Sequence, residues 1–175
     1  VNFYANDKKM TAISSGTGVE STNGVAYGSA GSGGLYMAIE PGQYTLAGKI
    51  AAATDKDLAI SGVSATLDAG KYYSFYQSGA YNTGTKKSDA FIVEDPLPAQ
   101  FDYTVAYVRF VHAIFNANAM TLYAKNTTTL AEAAVGGSVA YKAAGAFVAV
   151  PNGIYDLGAR YAGVSTNALS RTAVS

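Results

Sequence analysis

The sequence predicts an all-β protein built as two related domains in tandem, and three observations predict it. Apolar and polar residues alternate with a period of two along most apolar runs, the period of a strand with one buried face. Clusters of Gly, Pro, Asn, Asp and Ser separate these runs about every ten residues, the rhythm of a sandwich or barrel. A set of short motifs also occurs twice in the same order, so the chain carries an internal repeat.

Taken in order, residues 1–4 open with β-formers. Residues 34–39 read as a strand, and 43–50 as the strand that returns from it. Pro41-Gly42 between them is a turn signal, because Pro presets one φ and Gly accepts a positive one. Further strands are expected at 65–67, 71–77, 90–93, 104–112, 120–124, 138–141, 146–150 and 154–161. Only 51–58 and 128–134 have the composition for a helical turn. The expected core is Phe3, Ile39, Tyr44, Leu46, Leu67, Phe75, Val108, Phe110, Leu122, Val148, Val150 and Leu157.

The repeat divides the chain. Val1-Asn2-Phe3-Tyr4-Ala5 recurs as Met120-Thr121-Leu122-Tyr123-Ala124, and Val25-Ala26-Tyr27 as Val139-Ala140-Tyr141. Pro41-Gly42-Gln43-Tyr44-Thr45-Leu46 matches Asn152-Gly153-Ile154-Tyr155-Asp156-Leu157, which sets Lys49 opposite Arg160. Pro96 and Pro98 mark a stiff linker. The expected division is a first domain over 1–95, a linker over 96–103 and a second domain over 104–175. The copies are unequal. The second begins with a strand at 105–112 that the first does not match, and the first continues past Ser64 to Val93 through strands that the second does not match. The first domain is therefore expected to lack its first strand, and the second its last ones.

Composition narrows the class further. The 175 residues suit one large domain or two small ones. Hydrophobic residues make up 49% and charged residues 14%, against about 25% charged in an average globular protein; this excludes intrinsic disorder. Twelve basic residues balance twelve acidic ones, which excludes nucleic-acid binding driven by bulk charge. Cysteine is absent, so disulfides, thiolate catalysis and zinc ribbons are excluded. No stretch reaches the roughly 18 apolar residues of a transmembrane segment. Low charge with abundant Ala, Gly, Ser, Thr and Tyr points to an extracellular or bacterial cell-surface location. A chain that opens at Val1 with no basic leader is expected to be a processed or trimmed product.

The repeated motifs resemble a bacterial family, the secreted domain of unknown function numbered 4397. Its Arg-Val-Val-His/Asn-Ala strand looks like Arg109-Phe110-Val111-His112-Ala113. Its Val-Asp-Val-Tyr strand resembles Val1-Asn2-Phe3-Tyr4 and Met120-Thr121-Leu122-Tyr123. Its Val-Pro-Ala-Gly-x-Tyr hairpin is similar to Val150-Pro151-Asn152-Gly153-Ile154-Tyr155 and Ile39-Glu40-Pro41-Gly42-Gln43-Tyr44. Its Leu-x-Ala-Gly-Lys-x-Tyr-Thr strand is similar to Leu67-Asp68-Ala69-Gly70-Lys71-Tyr72-Tyr73-Ser74. The chain departs from the family where Ser-Pro becomes Ile114-Phe115 and where the strand Asp becomes Asn2 or Thr121. The resemblance implies immunoglobulin-like or transthyretin-like β-sandwich domains on an exported protein. It implies no established activity, so no catalytic residue carries over.

Chemistry-bearing patterns are few. No Gly-x-Ser-x-Gly elbow, P-loop or dinucleotide glycine pattern occurs. Residues 28–34 are glycine-rich, but no Lys or helix follows to hold a phosphate, so they read as a loop. His112, the one imidazole, ends a strand in phase with Ala106, Val108 and Phe110. It is expected to cap the core with its ring hydrogen-bonded rather than to ligate a metal. Glu94, Asp95 and Asp102 flank the linker, where solvated turn acids compete with a calcium site that has no EF-hand spacing. Asn126-Thr127-Thr128 fits a glycosylation acceptor. No catalytic residue, metal ligand or cofactor is expected.

Aromatic residues carry more information: 14 Tyr, 7 Phe and no Trp. In a strand at 71–77, Tyr72 and Tyr76 share one face while Tyr73 and Phe75 share the other. One pair is expected in the core, and the other, Tyr72 and Tyr76, forms an amphipathic surface for a sugar or a neighbouring subunit. Val105, Tyr107 and Val111 share a face with Arg109 on a strand that is apolar on both sides, so a cover is expected over them. The expected function is that of a non-enzymatic structural or adhesive protein, a filament or matrix subunit. Its copies would self-associate head to tail by strand exchange through 1–5, which includes Val1 and Phe3, and through 168–174. The alternative is a secreted glycan- or peptide-binding module.

Overall fold

The computed structural model describes residues 1–11 and 24–175. Among them there is no α-helix; a tight turn at Gly31–Gly34, with Ser32 and Gly33 in the left-handed region, interrupts antiparallel strands. The chain divides into two compact units, Val1–Asp95 and Pro96–Ser175.

The first unit holds β1 (Asn2–Ala5), β2 (Lys8–Lys9), β3 (Gly42–Lys49), β4 (Ala59–Leu67), β5 (Tyr73–Asn82) and β6 (Lys87–Glu94). The first four form one sheet in the order β2-β1-β3-β4, and β5 and β6 form a hairpin. A two-residue turn joins β1 to β2, with Asn6 and Asp7 both in the left-handed region. Such a turn matches the twist of the flanking strands, and Asn and Asp accept the positive φ it needs. The Asn6 side chain donates to the Gln43 carbonyl and accepts from the Thr45 N–H, which ties the turn to β3. The hairpin packs on the sheet: Phe3 meets Phe75 edge-on at 5.6 Å, and Lys87 donates to the Ala59 carbonyl. Ala5, Leu46, Ile60, Leu67 and Phe91 are buried there.

The second unit holds β7 (Val105–Val108), β8 (Val111–His112), β9 (Met120–Asn126), β10 (Glu132–Val139), β11 (Ala143–Ala144), β12 (Val148–Pro151), β13 (Tyr155–Tyr161) and β14 (Leu169–Val174). Its main sheet runs β10-β9-β13-β14. The β7–β12 and β8–β11 ladders are one antiparallel pair broken by a bulge. Between Val108↔Val148 and Val111↔Ala144, two residues on one side face three on the other. This pair covers the main sheet. Val108, Phe110, Val148 and Val150 pack with Tyr155 and Leu157 against buried Leu122, Ala124 and Val135.

The residues equated by the repeat occupy the same register positions. Phe3, Tyr4 and Ala5 face Gly48, Ala47 and Leu46, just as Leu122, Tyr123 and Ala124 face Ala159, Gly158 and Leu157. Lys49 Nζ lies 4.4 Å from the Tyr4 ring centroid and pairs with Asp7 at 2.8 Å. The Arg160 guanidinium lies 4.4 Å from the Tyr123 ring centroid and pairs bidentately with Glu132 at 2.7 Å. Each copy also has a tyrosine anchor. Tyr44 donates to the Glu40 carbonyl at 2.7 Å and Tyr155 to the Pro151 carbonyl at 2.9 Å, both four residues upstream. Immunoglobulin-type sandwiches use the same device where two strands turn a corner.

Several sequence expectations are corrected. Residues 35–40 form no ladder, and Ile39, placed in the core from its alternation, is exposed. The expected strand 104–112 is split at Arg109 and Phe110 by the bulge, and Phe110 is half-buried. Residues 128–134 form no helix: a single turn closes from the Leu130 N–H to the Asn126 carbonyl at 2.9 Å. Asn126 accepts from the Thr128 and Thr129 N–H groups, and β10 then starts at Glu132. β4 starts at Ala59, six residues before the expected 65–67 strand, because Ala59, Ser61, Gly62 and Ser64 mute its alternation.

Candidate functional site

The expected interaction residues fall in three places. Tyr72 is exposed just before β5, and its ring meets Tyr36 edge-on at 5.2 Å. Tyr76 is half-buried and stacks on Phe91 at 5.1 Å. The exposed aromatic partner of Tyr72 is therefore Tyr36. Asp95 organises this corner. It is 2% exposed and accepts hydrogen bonds from the Tyr36 hydroxyl at 2.7 Å and the Ser74 hydroxyl at 2.6 Å. Its N–H donates to the Tyr72 carbonyl. Asp95 is thus no solvated turn acid, because these hydroxyls replace the water its carboxylate gives up.

Val105, Tyr107 and Val111 are half-buried. Phe101 meets Tyr107 edge-on at 5.7 Å, and the Arg109 guanidinium lies over Phe147 at 4.7 Å. Part of the expected cover thus comes from within the second unit. Val1 exchanges backbone hydrogen bonds with Val25, and Phe3 sits on β1 between β2 and β3. Asn2, where the resembled family carries Asp, is buried and accepts a hydrogen bond from Thr11. Of the 168–174 segment, β14 is an edge strand paired to β13, with Leu169 half-exposed.

His112 is fully buried. The Ile114 N–H donates to Nδ1 at 3.2 Å, so the ring proton sits on Nε2, which donates to the Asn118 carbonyl at 3.0 Å. Neither nitrogen keeps a lone pair for a metal. Among the described residues, no group of three or more His, Cys, Asp or Glu is placed to hold an ion. Nor is any helix among them long and apolar enough to cross a membrane.

The feature that the strand reading missed is residues 35–40. Leu35 is 78% exposed, Tyr36 50%, Met37 48% and Ile39 37%. Beside Ile39 opens a cavity of about 330 Å³ lined by Ala5, Met10, Ala38, Ile39 and Tyr44 with the charged Lys8 and Glu40. The alternation in 34–39 is that of a strand, yet the segment joins no ladder. What was missing was a neighbour, and the unequal copies were the available signal. Compared with protein-family models, curated proteins and solved structures, the chain finds no match.

Proposed function

We propose that this protein is a non-enzymatic structural or adhesive protein of the extracellular space or bacterial cell surface, a filament or matrix subunit joined through strand edges. The observation that carries the reading is the run Leu35–Tyr36–Met37–Ala38–Ile39, apolar, exposed and outside any ladder. An apolar segment with unpaired backbone groups is costly in water and favours pairing with another chain. The low charge and the resemblance to an exported bacterial domain support the location. A second reading, a glycan- or peptide-binding module, draws on the half-exposed Tyr36–Tyr72 pair held by Asp95.

Sedimentation and electron microscopy over a concentration series test the first reading. Open-ended, concentration-dependent assembly that Ile39→Asp suppresses supports it. A monodisperse monomer throughout the micromolar range refutes it.

A further inference from the structure

The second unit shows what the exposed run of the first unit lacks. By the repeat, Met37, Ala38, Ile39 and Glu40 are the counterparts of Val148, Ala149, Val150 and Pro151. The tyrosine anchors place both segments the same way, since Tyr44 holds Glu40 as Tyr155 holds Pro151. In the second unit that segment is β12, and all four of its residues pair with β7, from Val148↔Val108 to Pro151↔Val105. Among the described residues of the first unit there is no counterpart of β7.

The side chains tell the same story. In the second unit, Val108 and Phe110 join Val150, Tyr155 and Leu157 in one cluster packed on Leu122, Ala124 and Val135. Three of those positions correspond to Ala5, Ile39 and Tyr44, which line the open cavity of the first unit. Among the described residues, the backbone edge and the cavity are thus two parts of one strand position that no segment of the first unit fills.

We infer that the 35–40 edge and its cavity form an acceptor for an added antiparallel strand with the chemistry of β7. The occupant is an extended peptide segment with β-branched or aromatic residues at alternate positions. Backbone hydrogen bonds to 37–40 supply the pairing, and two apolar side chains enter the cavity, as in β-strand addition generally. Its register follows β12: Met37 opposite the position of Val108, and Glu40 opposite that of Val105. The folded edges of this chain suit the role less well. β7 is already paired with β12, and β14 carries Arg171 and a register shift, the devices that blunt an edge. The inference deepens the strand-edge reading above and rests on it for its biological meaning.

The test uses the whole chain and a fluorescently labelled synthetic peptide of residues 104–112, Thr-Val-Ala-Tyr-Val-Arg-Phe-Val-His. Saturable binding is expected by anisotropy, with hydrogen-exchange protection appearing at 35–40. Ile39→Asp in the protein, at an exposed position that does not hold the fold together, should weaken binding at least about tenfold. Placing Asp at the Val108 and Phe110 positions of the peptide should abolish it. Absence of binding overturns the inference. So does binding that Ile39→Asp leaves unchanged, or protection confined to 148–151, which would show exchange into the second unit instead. Sedimentation of the unliganded protein separates the two readings. Polymers without peptide binding sink this inference alone, while peptide binding to a strictly monomeric protein sinks the assembly reading alone.

Discussion

Replacing His112 by Ala should cost the second unit about 4 kcal/mol, because three losses coincide at one buried ring. The imidazole is 0% exposed and packs between Phe110 and Tyr141, with ring centroids at 5.8 and 6.1 Å. Removing it opens a cavity among groups that cannot fully collapse, about 2 kcal/mol for a side chain of this size. It also strips the Ile114 N–H and the Asn118 carbonyl of their partner. Asn118 is exposed and Ile114 only half-buried, so water recovers part of each bond and about 1 kcal/mol remains per group. His112→Phe keeps the volume and loses both hydrogen bonds, so it should cost about 2 kcal/mol. The assay is hydrogen exchange in rising urea, read by mass spectrometry on peptides from 105–175, so that the first unit does not mask the transition. A loss below about 1 kcal/mol for the Ala variant would refute the burial argument. A Phe variant as stable as the parent would show that the two hydrogen bonds contribute nothing.

Two further outcomes follow from local geometry. Gly79 sits at the β5–β6 register shift with φ +82°, and a Cβ there would stand 2.9 Å from Asp89 Cβ and 3.1 Å from its backbone nitrogen. Gly79→Ala should therefore destabilise the first unit by about 2 kcal/mol or more in chemical denaturation, while Gly70→Ala, with an open surround, shows only the roughly 1 kcal/mol strain of a left-handed backbone. The Arg160 guanidinium holds the Glu132 carboxyl below the usual carboxylate range. A lowered folded-state pKa gives stability that is present above the unfolded value of about 4.3 and is lost as pH falls through the folded value. Glu132→Gln should accordingly flatten the acid limb of the second unit's stability–pH curve below about pH 4.3 and leave its slope near neutrality unchanged.

Much of the all-β architecture was legible because strand chemistry is local. The alternation around Tyr44 and Leu46, and again around Tyr155 and Leu157, marks β3 and β13 without any knowledge of their neighbours. Short or small-residue strands were not legible in this way: β2 is two residues long, and β14 offers Ser170, Arg171 and Thr172 instead of an apolar face. The acidic corner was misread for a related reason. Asp95 looks like a linker acid until Tyr36, far away in sequence, donates its hydroxyl to it.

The sequence by itself determined the alternating segments that can be strands and which residues correspond between the copies, because both follow from side-chain period and motif order along the chain. It also set Lys49 opposite Arg160, while the cross-strand register placed each cation over a ring, Tyr4 in one copy and Tyr123 in the other. Tertiary structure alone decided which strand-forming segments find a partner. Residues 37–40 and 148–151 have similar local chemistry, yet only the second pair into a ladder, because β7 lies beside them. Half-burial of Val150 and exposure of Ile39 follow from that one difference, since a strand is completed by its neighbour's backbone and not by its own sequence.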